Sequence, residues 1–332
     1  MAFLRLRQLL TEDYYAANKL MKGFIGAANI DTNSRLCMSS AVVGYKRAFG
    51  EDVVPCSYED IENSDLVVLV GSNAAWTHPV LYQRLVQARQ SHPAMKVVVI
   101  DPRKTATCDI ADLHLALRPG SDAGLFVGLL NRIQGTADWP AERVAEFCDL
   151  SAAAINQFYD MFITAPRAIT LYTMGINQSA SGSDKCNAII NVHLASGKFA
   201  RQGCGPFSLT GQPNAMGGRE VGGLGESARG TYAFRAGRSR AGSPRFWGTE
   251  RLAANAGADA VELFDAIARG EVKAVWIMGT NPAVSMPDSH AVCQALAACP
   301  LVIVSEVMQE TDTSQFAHIR FPALGWERKT ER

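Results

Sequence analysis

Short apolar runs alternate with longer amphipathic segments along most of this chain. Residues 66–70 read Leu-Val-Val-Leu-Val, and an apolar run of this length predicts a strand that is buried on both faces. Similar runs follow at 97–100, 168–172, 274–278 and 301–304. Helical segments lie between them, such as residues 80–90, which Thr77 and Pro79 introduce as start signals. Strands that alternate with helices indicate parallel sheets covered by helices.

The length of 332 residues indicates roughly two domains. A glycine-rich stretch at 203–230 separates the first three apolar runs from the last two. We therefore predict an α/β fold with two parallel-sheet, dinucleotide-binding-like domains flanked by helices. The predicted domains are residues 1–205 and 206–332.

Charge and cysteine content narrow the classes of partner. The formal charge is +0, from 32 basic and 32 acidic residues, so no net field draws the chain to nucleic acid or to an anionic membrane. The eight cysteines show no C-x-x-C pair and no zinc-type spacing, which is typical of a reducing cytoplasm. The apolar runs are much shorter than the roughly 18 residues of a membrane span, and the first residues are too short in apolar length for a signal peptide. We expect a cytoplasmic protein with small-molecule ligands.

The loops after the predicted strands carry residues suited to binding. These are Gly71-Ser72-Asn73, Asp101, Gly279-Thr280-Asn281 and Ser305-Glu306. In open parallel sheets, ligands bind outside the carboxyl ends of the strands, where small residues let backbone amides approach phosphates. Each loop alone is also a plain turn, and none has the G-x-G-x-x-G fingerprint of nicotinamide dehydrogenases. Together they predict a nucleotide-like ligand that reaches both domains, with Asn73, Asp101, Asn281 and Ser305 facing one cleft.

Cys37 stands alone, with no second cysteine nearby, just ahead of a predicted helix over 41–49. A helix N-terminus stabilises a thiolate, so this cysteine is a candidate nucleophile or metal ligand. The alternative is a buried thiol that packs as a small hydrophobic group.

Seven segments in order along the chain carry a family resemblance: 22–31, 35–40, 71–79, 118–122, 174–178, 206–213 and 218–221. They resemble the molybdenum oxidoreductases that hold two molybdopterin guanine dinucleotides, and most of all the cytoplasmic assimilatory nitrate reductases. The resemblance implies that Cys37 supplies a thiolate to molybdenum beside four dithiolene sulfurs. A soft sulfur donor suits this metal. The implied reaction is oxygen-atom transfer from nitrate to give nitrite.

Two further residues match the family's active site. Arg219, flanked by glycines, matches the arginine that faces the substrate, and a guanidinium offers forked donors that a lysine lacks. The alternative for Arg219 is an ordinary surface arginine. Met38 is assigned to the lining of the substrate pocket, where formate dehydrogenases usually have a histidine. A core methionine on the helix is the alternative for Met38.

The resemblance also assigns the cofactor contacts. The loop and acidic residues assigned to the first dinucleotide are Gly71, Ser72, Asn73, Thr77, Asp101, Gly120 and Asp122. The residues assigned to the pterin side, after the third apolar run, are Met174 and Gln178. The residues assigned to the second dinucleotide, in loops of the C-terminal domain, are Asn281, Ser305 and Glu306. Asp122 is alternatively the N-cap of a helix over 123–131. We expect His78, His114 and His193 to have packing or capping roles.

Full-length members of the family also have an N-terminal 4Fe-4S segment and a C-terminal barrel-like domain. Four closely spaced cysteines hold such a cluster, and none precede Cys37, so we expect this chain to be the central part of the catalytic subunit. The expected electron donor is ferredoxin, flavodoxin or an NADH-dependent subunit. Two alternatives are another molybdenum oxidoreductase of this type, such as a formate dehydrogenase, and a non-catalytic scaffold of the same fold. A scaffold predicts decay of Cys37 and Arg219, and both are present.

Overall fold

The computed structural model describes residues 1–5, 9–221, 247–249, 252–253 and 256–325, without the side chains of Arg5, Met216, Arg219 and Glu220. The strands are β1 Ala2–Arg5, β2 Ile30–Thr32, β3 Leu66–Val70, β4 Lys96–Ile100, β5 Leu113–Leu115, β6 Ala168–Tyr172, β7 Gly205–Ser208, β8 Ala274–Met278, β9 Leu301–Glu306 and β10 Ile319–Pro322. Every run predicted as a strand forms one. Five strands of three or four residues, β1, β2, β5, β7 and β10, were not predicted.

The described helices are α1 Thr11–Asn18, α2 Arg35–Phe49, α3 Tyr58–Glu62, α4 Ala74–Thr77, α5 Pro79–Ser91, α6 Asp122–Gln134, α7 Ala141–Cys148, α8 Ala152–Thr164, α9 Met174–Asn177, α10 Gly182–Ala195, α11 Ala215–Glu220, α12 Ala260–Ala268, α13 Pro282–Ser285 and α14 Ser289–Ala298. A π-helical segment, Lys19–Ile25, continues α1, and 3₁₀ turns cover Ala106–Ile110 and Ser314–Phe316. Within the described ranges, no helix combines the length and apolar character needed to cross a bilayer.

The chain forms two compact units whose boundaries differ from the predicted ones. Cys37–Gly211 form a central unit, and Met1–Leu36 together with Gln212–Arg332 form a composite unit. The prediction put the first 36 residues with the central unit. They lie in the other unit because β1 pairs in parallel with β8, in the register Phe3↔Trp276. Pairing over such a separation depends on tertiary packing and leaves no local pattern in the sequence.

The central unit is built on a sheet of order β5-β4-β3-β6-β7, and all its strand pairs are parallel. Every residue of β3 and β6 is buried, as their continuous apolar runs predicted. Val68 and Val98 contribute to a core that includes residues of α6, α8 and α10, while Val67 and Val97 contribute to a second core with Leu85 of α5. The two faces of the sheet are therefore covered by helices.

The composite unit repeats this plan in a sheet of order β10-β9-β8-β1-β2, again with parallel pairs. Its helix cover is less complete. Val275 and Ile277 are buried in a core with residues of α12 and α14, whereas Trp276 on the opposite face is half-buried. Phe321 of β10 is 47% exposed, so part of this face is open.

Candidate functional site

Cys37 is the third residue of α2, which begins at Arg35. The predicted helix start at residue 41 was therefore too late, and Cys37 belongs to the first helical turn instead of preceding it. Backbone N–H groups in a first turn have no partner within the helix, and they favour negative charge nearby. The side chain of Cys37 is half-buried and packs against the core of the central unit.

Met38 is buried, with 2% of its surface exposed, and belongs to the core of the central unit. Its sulfur accepts a hydrogen bond from Asn177 Nδ2 at 3.2 Å. Asn177 is buried too, and its Oδ1 accepts a bond from the Cys186 thiol at 3.6 Å. This geometry favours the core interpretation of Met38, and its pocket-lining role stays a prediction.

The loop after β3 is held close to the loop after β6. Gly71 has φ +54°, and a Cβ built there would lie 2.8 Å from the Cα of Gly175. Its carbonyl accepts bonds from Gly175 N at 3.1 Å and from Thr173 Oγ1 at 2.7 Å, while its N–H donates to Ile100 O at 2.9 Å. Only a residue without a side chain fits this position, because both the φ angle and the contact exclude a Cβ.

Asn73 follows in the same loop and is half-buried. Its side-chain oxygen accepts a bond from Thr107 Oγ1 at 3.2 Å, and its carbonyl accepts one from Thr77 Oγ1 at 3.1 Å. Ser72 is fully buried, and its Oγ has no hydrogen-bond partner in the described part of the chain. An unpaired buried hydroxyl is uncommon, because it loses its bonds to water without replacement.

Asp101 directly follows β4 and is 7% exposed. Its Oδ1 accepts the N–H of Arg103 at 2.8 Å. The carboxylate therefore lies at the same edge of the sheet as the Gly71 loop, since β3 and β4 are adjacent and parallel. This is the location predicted for an acidic partner of a nucleotide.

Asp122 is the first residue of α6, and Ser121 occupies the N-cap position. The alternative of Asp122 as an N-cap is therefore wrong. Its Oδ2 instead accepts a bond from Lys185 Nζ at 2.7 Å, and both side chains are buried. Gly120, with φ +91°, makes the turn that precedes this helix.

Met174 is the first residue of α9, the short helix that follows β6, and Gln178 is the residue directly after it. Met174 is half-buried and Gln178 is exposed. Because Gly175 contacts Gly71, these residues share one edge of the central sheet with the Gly71 loop. The central unit thus brings together the loops that the sequence predicted after its strands.

The composite unit has a matching loop. Gly279 has φ +60°, and its N–H donates to Ser305 O at 2.8 Å. Asn281 Oδ1 accepts bonds from Thr313 N at 3.0 Å and Thr313 Oγ1 at 2.6 Å. Ser305 lies inside β9 and not in the loop after it, and its Oγ accepts the indole N–H of Trp276 at 2.8 Å.

Glu306 ends β9, and its Oε1 accepts the N–H of Val307 at 2.8 Å. Gly279, Ser305 and Glu306 line a mainly apolar cavity of about 470 Å³ in this unit, beside Asp13 of α1. Each unit by itself therefore gathers the predicted loops after its strands at one sheet edge. That the two sets face a common cleft stays a prediction.

The two loops are internal counterparts, related by equivalent positions in their sheets. Val70 pairs with Ile100 and Met278 with Ser305 as the last register pairs of β3/β4 and β8/β9. Asp101 and Glu306 are therefore the next residues after equivalent positions. The signal in the sequence is the repeated pattern Gly-Ser/Thr-Asn-x-Ala at 71–75 and 279–283. The asparagines of the two copies accept hydrogen bonds from Thr107 and Thr313, two buried residues that were not predicted.

Three histidines were expected to have packing or capping roles. Each of them forms a hydrogen bond with a backbone carbonyl. His78 Nε2 meets Thr210 O at 2.7 Å, His114 Nε2 meets Asp101 O at 2.9 Å, and His193 Nδ1 meets Lys198 O at 2.9 Å. Burial lowers the pKa of His193 to about 4. In the described part of the chain, no group of three or more His, Cys, Asp or Glu side chains is arranged to hold a metal ion. Cys37 is predicted to act as a single thiolate, which needs no such group.

Arg219 lies in α11, and its side chain falls outside the described part of the structure. The placement of its guanidinium relative to a substrate therefore stays a prediction.

Two nitrate reductases are similar to this chain. The protein from Klebsiella oxytoca is 70% identical over 346 residues, a match that covers 99% of this chain and 40% of that protein. The protein from Shewanella frigidimarina is 49% identical over 346 residues, covering 97% of this chain and 37% of that protein. The chain thus spans about two fifths of the length of these relatives.

The fold is also found in a solved structure. Acetylene hydratase from Pelobacter acetylenicus superposes with a TM-score of 0.68 at 20% identity, over 95% of this chain and 48% of that one. At this identity the match shows the fold alone. Residues 1–331 match the family described as Molybdopterin oxidoreductase. The chain belongs to the molybdopterin oxidoreductase family.

Proposed function

We propose that this chain is the central part of the catalytic subunit of a molybdenum-dependent nitrate reductase that serves nitrate assimilation. The observation that carries the proposal is the pair of equivalent Gly-Ser/Thr-Asn loops, each beside an acidic residue at the end of the next strand. Two such loops suit a cofactor with two nucleotide portions. The identity of 70% to a nitrate reductase supports nitrate as the substrate.

The residues present fit a bis(molybdopterin guanine dinucleotide) cofactor. The tight approach of Gly71 and Gly175 holds the loops after β3 and β6 together at one edge of the central sheet, where open parallel sheets bind their ligands. Ser72 Oγ is a buried hydroxyl without a partner among the described residues, and a bound phosphate or ribose oxygen would satisfy it. Asp101, exposed over 7% of its surface, offers a carboxylate to ribose or guanine donors.

When bound, the cofactor supplies two-electron oxygen-atom transfer. Cys37 would hold the metal through its thiolate, at the start of a 15-residue helix that favours negative charge. Arg219 would bind the nitrate anion, because its forked donors match planar oxyanions. The proposal keeps the cytoplasm as the location, on the cysteine spacing given above, and ferredoxin, flavodoxin or an NADH-dependent subunit as electron donor.

The test uses the complete protein to which this chain corresponds. Purified protein should contain about one molybdenum per subunit by mass spectrometry and should reduce nitrate with a chemical electron donor. Cys37→Ala should lose turnover and most of the metal. Cys293→Ser, which changes another half-buried cysteine, should keep both.

Other results would point to other functions. Formate oxidation without nitrate reduction would assign the chain to a formate dehydrogenase. A wild-type protein that folds but binds no molybdenum would support a scaffold.

A further inference from the structure

Asn177 is a buried polar side chain that lies between two sulfur atoms of the central unit. Its Nδ2 donates to Met38 Sδ at 3.2 Å, and its Oδ1 accepts from the Cys186 thiol at 3.6 Å. Asn177 is 3% exposed, Met38 is 2% exposed and Cys186 is fully buried. Water therefore has little access to this amide, and each end of it has a hydrogen-bond partner on another helix.

The thioether of Met38 determines which way the amide points. A thioether sulfur carries no proton and only accepts a hydrogen bond, so the end of the amide that faces it is the Nδ2 donor. The carbonyl oxygen then faces Cys186, whose thiol is a donor. Burial raises the pKa of Cys186 to about 12, so this thiol keeps its proton at neutral pH. Met38 thus contributes a hydrogen-bond acceptor that a hydrocarbon side chain would lack.

Asn177 links two parts of the predicted site. It is the last residue of α9, and the same turn carries Met174 and Gln178, the predicted pterin contacts. Met38 directly follows Cys37 in the first turn of α2. The bond from Asn177 to Met38 therefore ties the turn that carries the predicted metal ligand to the turn that carries the predicted pterin contacts.

The packing of α10 against α2 encloses this junction. A Cβ built at Gly182, the first residue of α10, would collide with the Asn177 carbonyl and lie 2.7 Å from Ser40 Oγ of α2. A Cβ built at Gly44, farther along α2, would lie 2.8 Å from the Cys186 Cβ. The two helices therefore approach too closely for a side chain at either glycine. Because packing this close transmits a local change, we expect a change at Asn177 to reach α2.

We infer that Asn177 is a positioning residue for the metal ligand: its bond to Met38 fixes the first turn of α2, and with it the place of the Cys37 sulfur relative to the turn 174–178. The inference rests on the proposed function, in which Cys37 holds molybdenum. Asn177 acts through Met38 and touches neither the metal nor the substrate. Without this bond the first turn of α2 opens more often, and the Cys37 sulfur no longer keeps one fixed position.

The first measurement is the rate at which iodoacetamide alkylates Cys37 in the 332-residue chain at one fixed pH. Asn177→Leu should raise this rate about threefold, as expected for the loss of one hydrogen bond that holds the turn closed. The half-buried Cys293 is the internal reference and should react at the wild-type rate. Leucine should be tolerated at residue 177, because the sulfurs of Met38 and Cys186 also pack as apolar groups.

Asn187 offers the matched control. Its Nδ2 also bonds to α2, at Gly44 O across 3.0 Å, but this contact lies about two helical turns beyond Cys37. Asn187→Leu should lower the melting temperature of the chain and leave the alkylation rate of Cys37 unchanged. A purely structural role of Asn177 predicts instead that both variants change this rate alike.

The complete protein tests the same role with the metal in place, through the Mo(V) electron paramagnetic resonance signal. Asn177→Leu should shift or broaden this signal, whereas Asn187→Leu should keep the wild-type signal. Cys186→Ala removes the donor to Asn177 Oδ1 and should change the signal and the alkylation rate of Cys37 in the same direction, but less. Cys186→Ser keeps a donor and should match the wild type. This pair of variants decides the question if Asn177→Leu does not fold.

The inference is overturned if Asn177→Leu leaves the alkylation rate of Cys37 or the Mo(V) signal unchanged, or if Asn187→Leu changes both as much. A complete wild-type protein that folds but binds no molybdenum would overturn the proposed function and this inference with it. The two failures are distinguishable, because the second lies in the wild type and the first only in the variants.

Discussion

Lys185 Nζ donates to Asp122 Oδ2 across 2.7 Å, which joins the N-terminal part of α10 to the first residue of α6 inside the central unit. The two side chains are 3% and 9% exposed. A carboxylate predicted to face a nucleotide is thus partly neutralised by a buried ammonium group, with its Oδ1 left for other partners.

Removing one member of this pair should be costly. Lys185→Met leaves a buried carboxylate without its counter-charge, and we expect a loss of about 3–5 kcal/mol in the free energy of unfolding. Lys185→Met combined with Asp122→Leu should recover most of it. Urea denaturation measures both, with Arg47→Met as the control, since the Arg47–Asp184 pair is exposed and should contribute less than about 1 kcal/mol. Equal losses in Lys185→Met and Arg47→Met would contradict the buried pair.

Cys37 should react faster with alkylating reagents than Cys186. Cys37 is half-buried at a helix start, where the thiolate is favoured, whereas Cys186 is fully buried. Burial raises the pKa of Cys186 to about 12. Competitive labelling with iodoacetamide followed by peptide mass spectrometry checks the order. Modification of Cys186 or the buried Cys299 ahead of Cys37 would count against the placement of Cys37.

Acid should destabilise the central unit through His193. Its Nδ1–H donates to Lys198 O, so Nε2 is unprotonated and accepts from Thr170 Oγ1 at 2.8 Å. The folded pKa is about 4 against 6.5 for the free side chain, so the unfolded state binds the extra proton between these values. The contribution of His193 to the free energy of unfolding is fully present above pH 6.5. It is lost as the pH drops towards 4, by about 3 kcal/mol in total.

Unfolding free energies at about pH 7.5 and about pH 5 test this dependence. His193→Gln should show a clearly smaller difference between the two pH values than the wild type does. His290→Gln, at an exposed histidine, should keep the wild-type difference. A wild-type slope that survives in His193→Gln would assign the dependence to other groups.

Gly71→Ala should disrupt the central loop more than a substitution at another left-handed glycine. Gly135 has φ +69° but open space where a Cβ would lie. Gly135→Ala should therefore lower the free energy of unfolding by about 1 kcal/mol, from backbone strain alone. At Gly71 the new Cβ also meets the backbone of Gly175, and we expect roughly 3 kcal/mol or more. Thermal unfolding of the two variants compares them directly. Equal losses of stability in the two variants would mean that the backbone around Gly175 can shift to accept the new Cβ at little cost.

Arg219 should affect the nitrate step and not cofactor assembly. In the complete protein, Arg219→Ala should lower kcat/KM for nitrate, with a loss of about 3 kcal/mol in the free energy of transition-state binding. Its molybdenum content should stay normal. Arg219→Lys should recover only part, because an ammonium group lacks the fork. Arg269→Ala, at an exposed ion pair in the same unit, is the control. Normal kinetics in Arg219→Ala would make it a surface residue, and loss of metal would make its role structural.

Local pattern was enough for the central strands and for the loops that follow them. Residues 66–70 and 168–172 could be predicted to the residue because a strand buried on both faces needs an uninterrupted apolar run. The glycines and polar residues after such strands mark the carboxyl edge of a parallel sheet, where ligands bind. Two of the seven segments that carry the family resemblance, 71–79 and 174–178, are such loops, and the match over residues 1–331 confirms the resemblance.

Short edge strands carried too little pattern to be predicted. β7 contains Pro206, which normally argues against a strand, but an edge position tolerates a residue without an N–H. β10 has alternating residues that are all exposed, so no apolar run marks it.

Long-range partners were decided only by folding. That β1 pairs with β8, and that Lys185 neutralises Asp122, depends on which surfaces meet when the helices pack on the sheets. The same holds for Asn73 and Asn281, whose loops have nearly the same sequence pattern but different hydrogen-bond partners. A pattern of residues specifies what a segment can form, whereas the burial and spacing of distant side chains select the contacts that form.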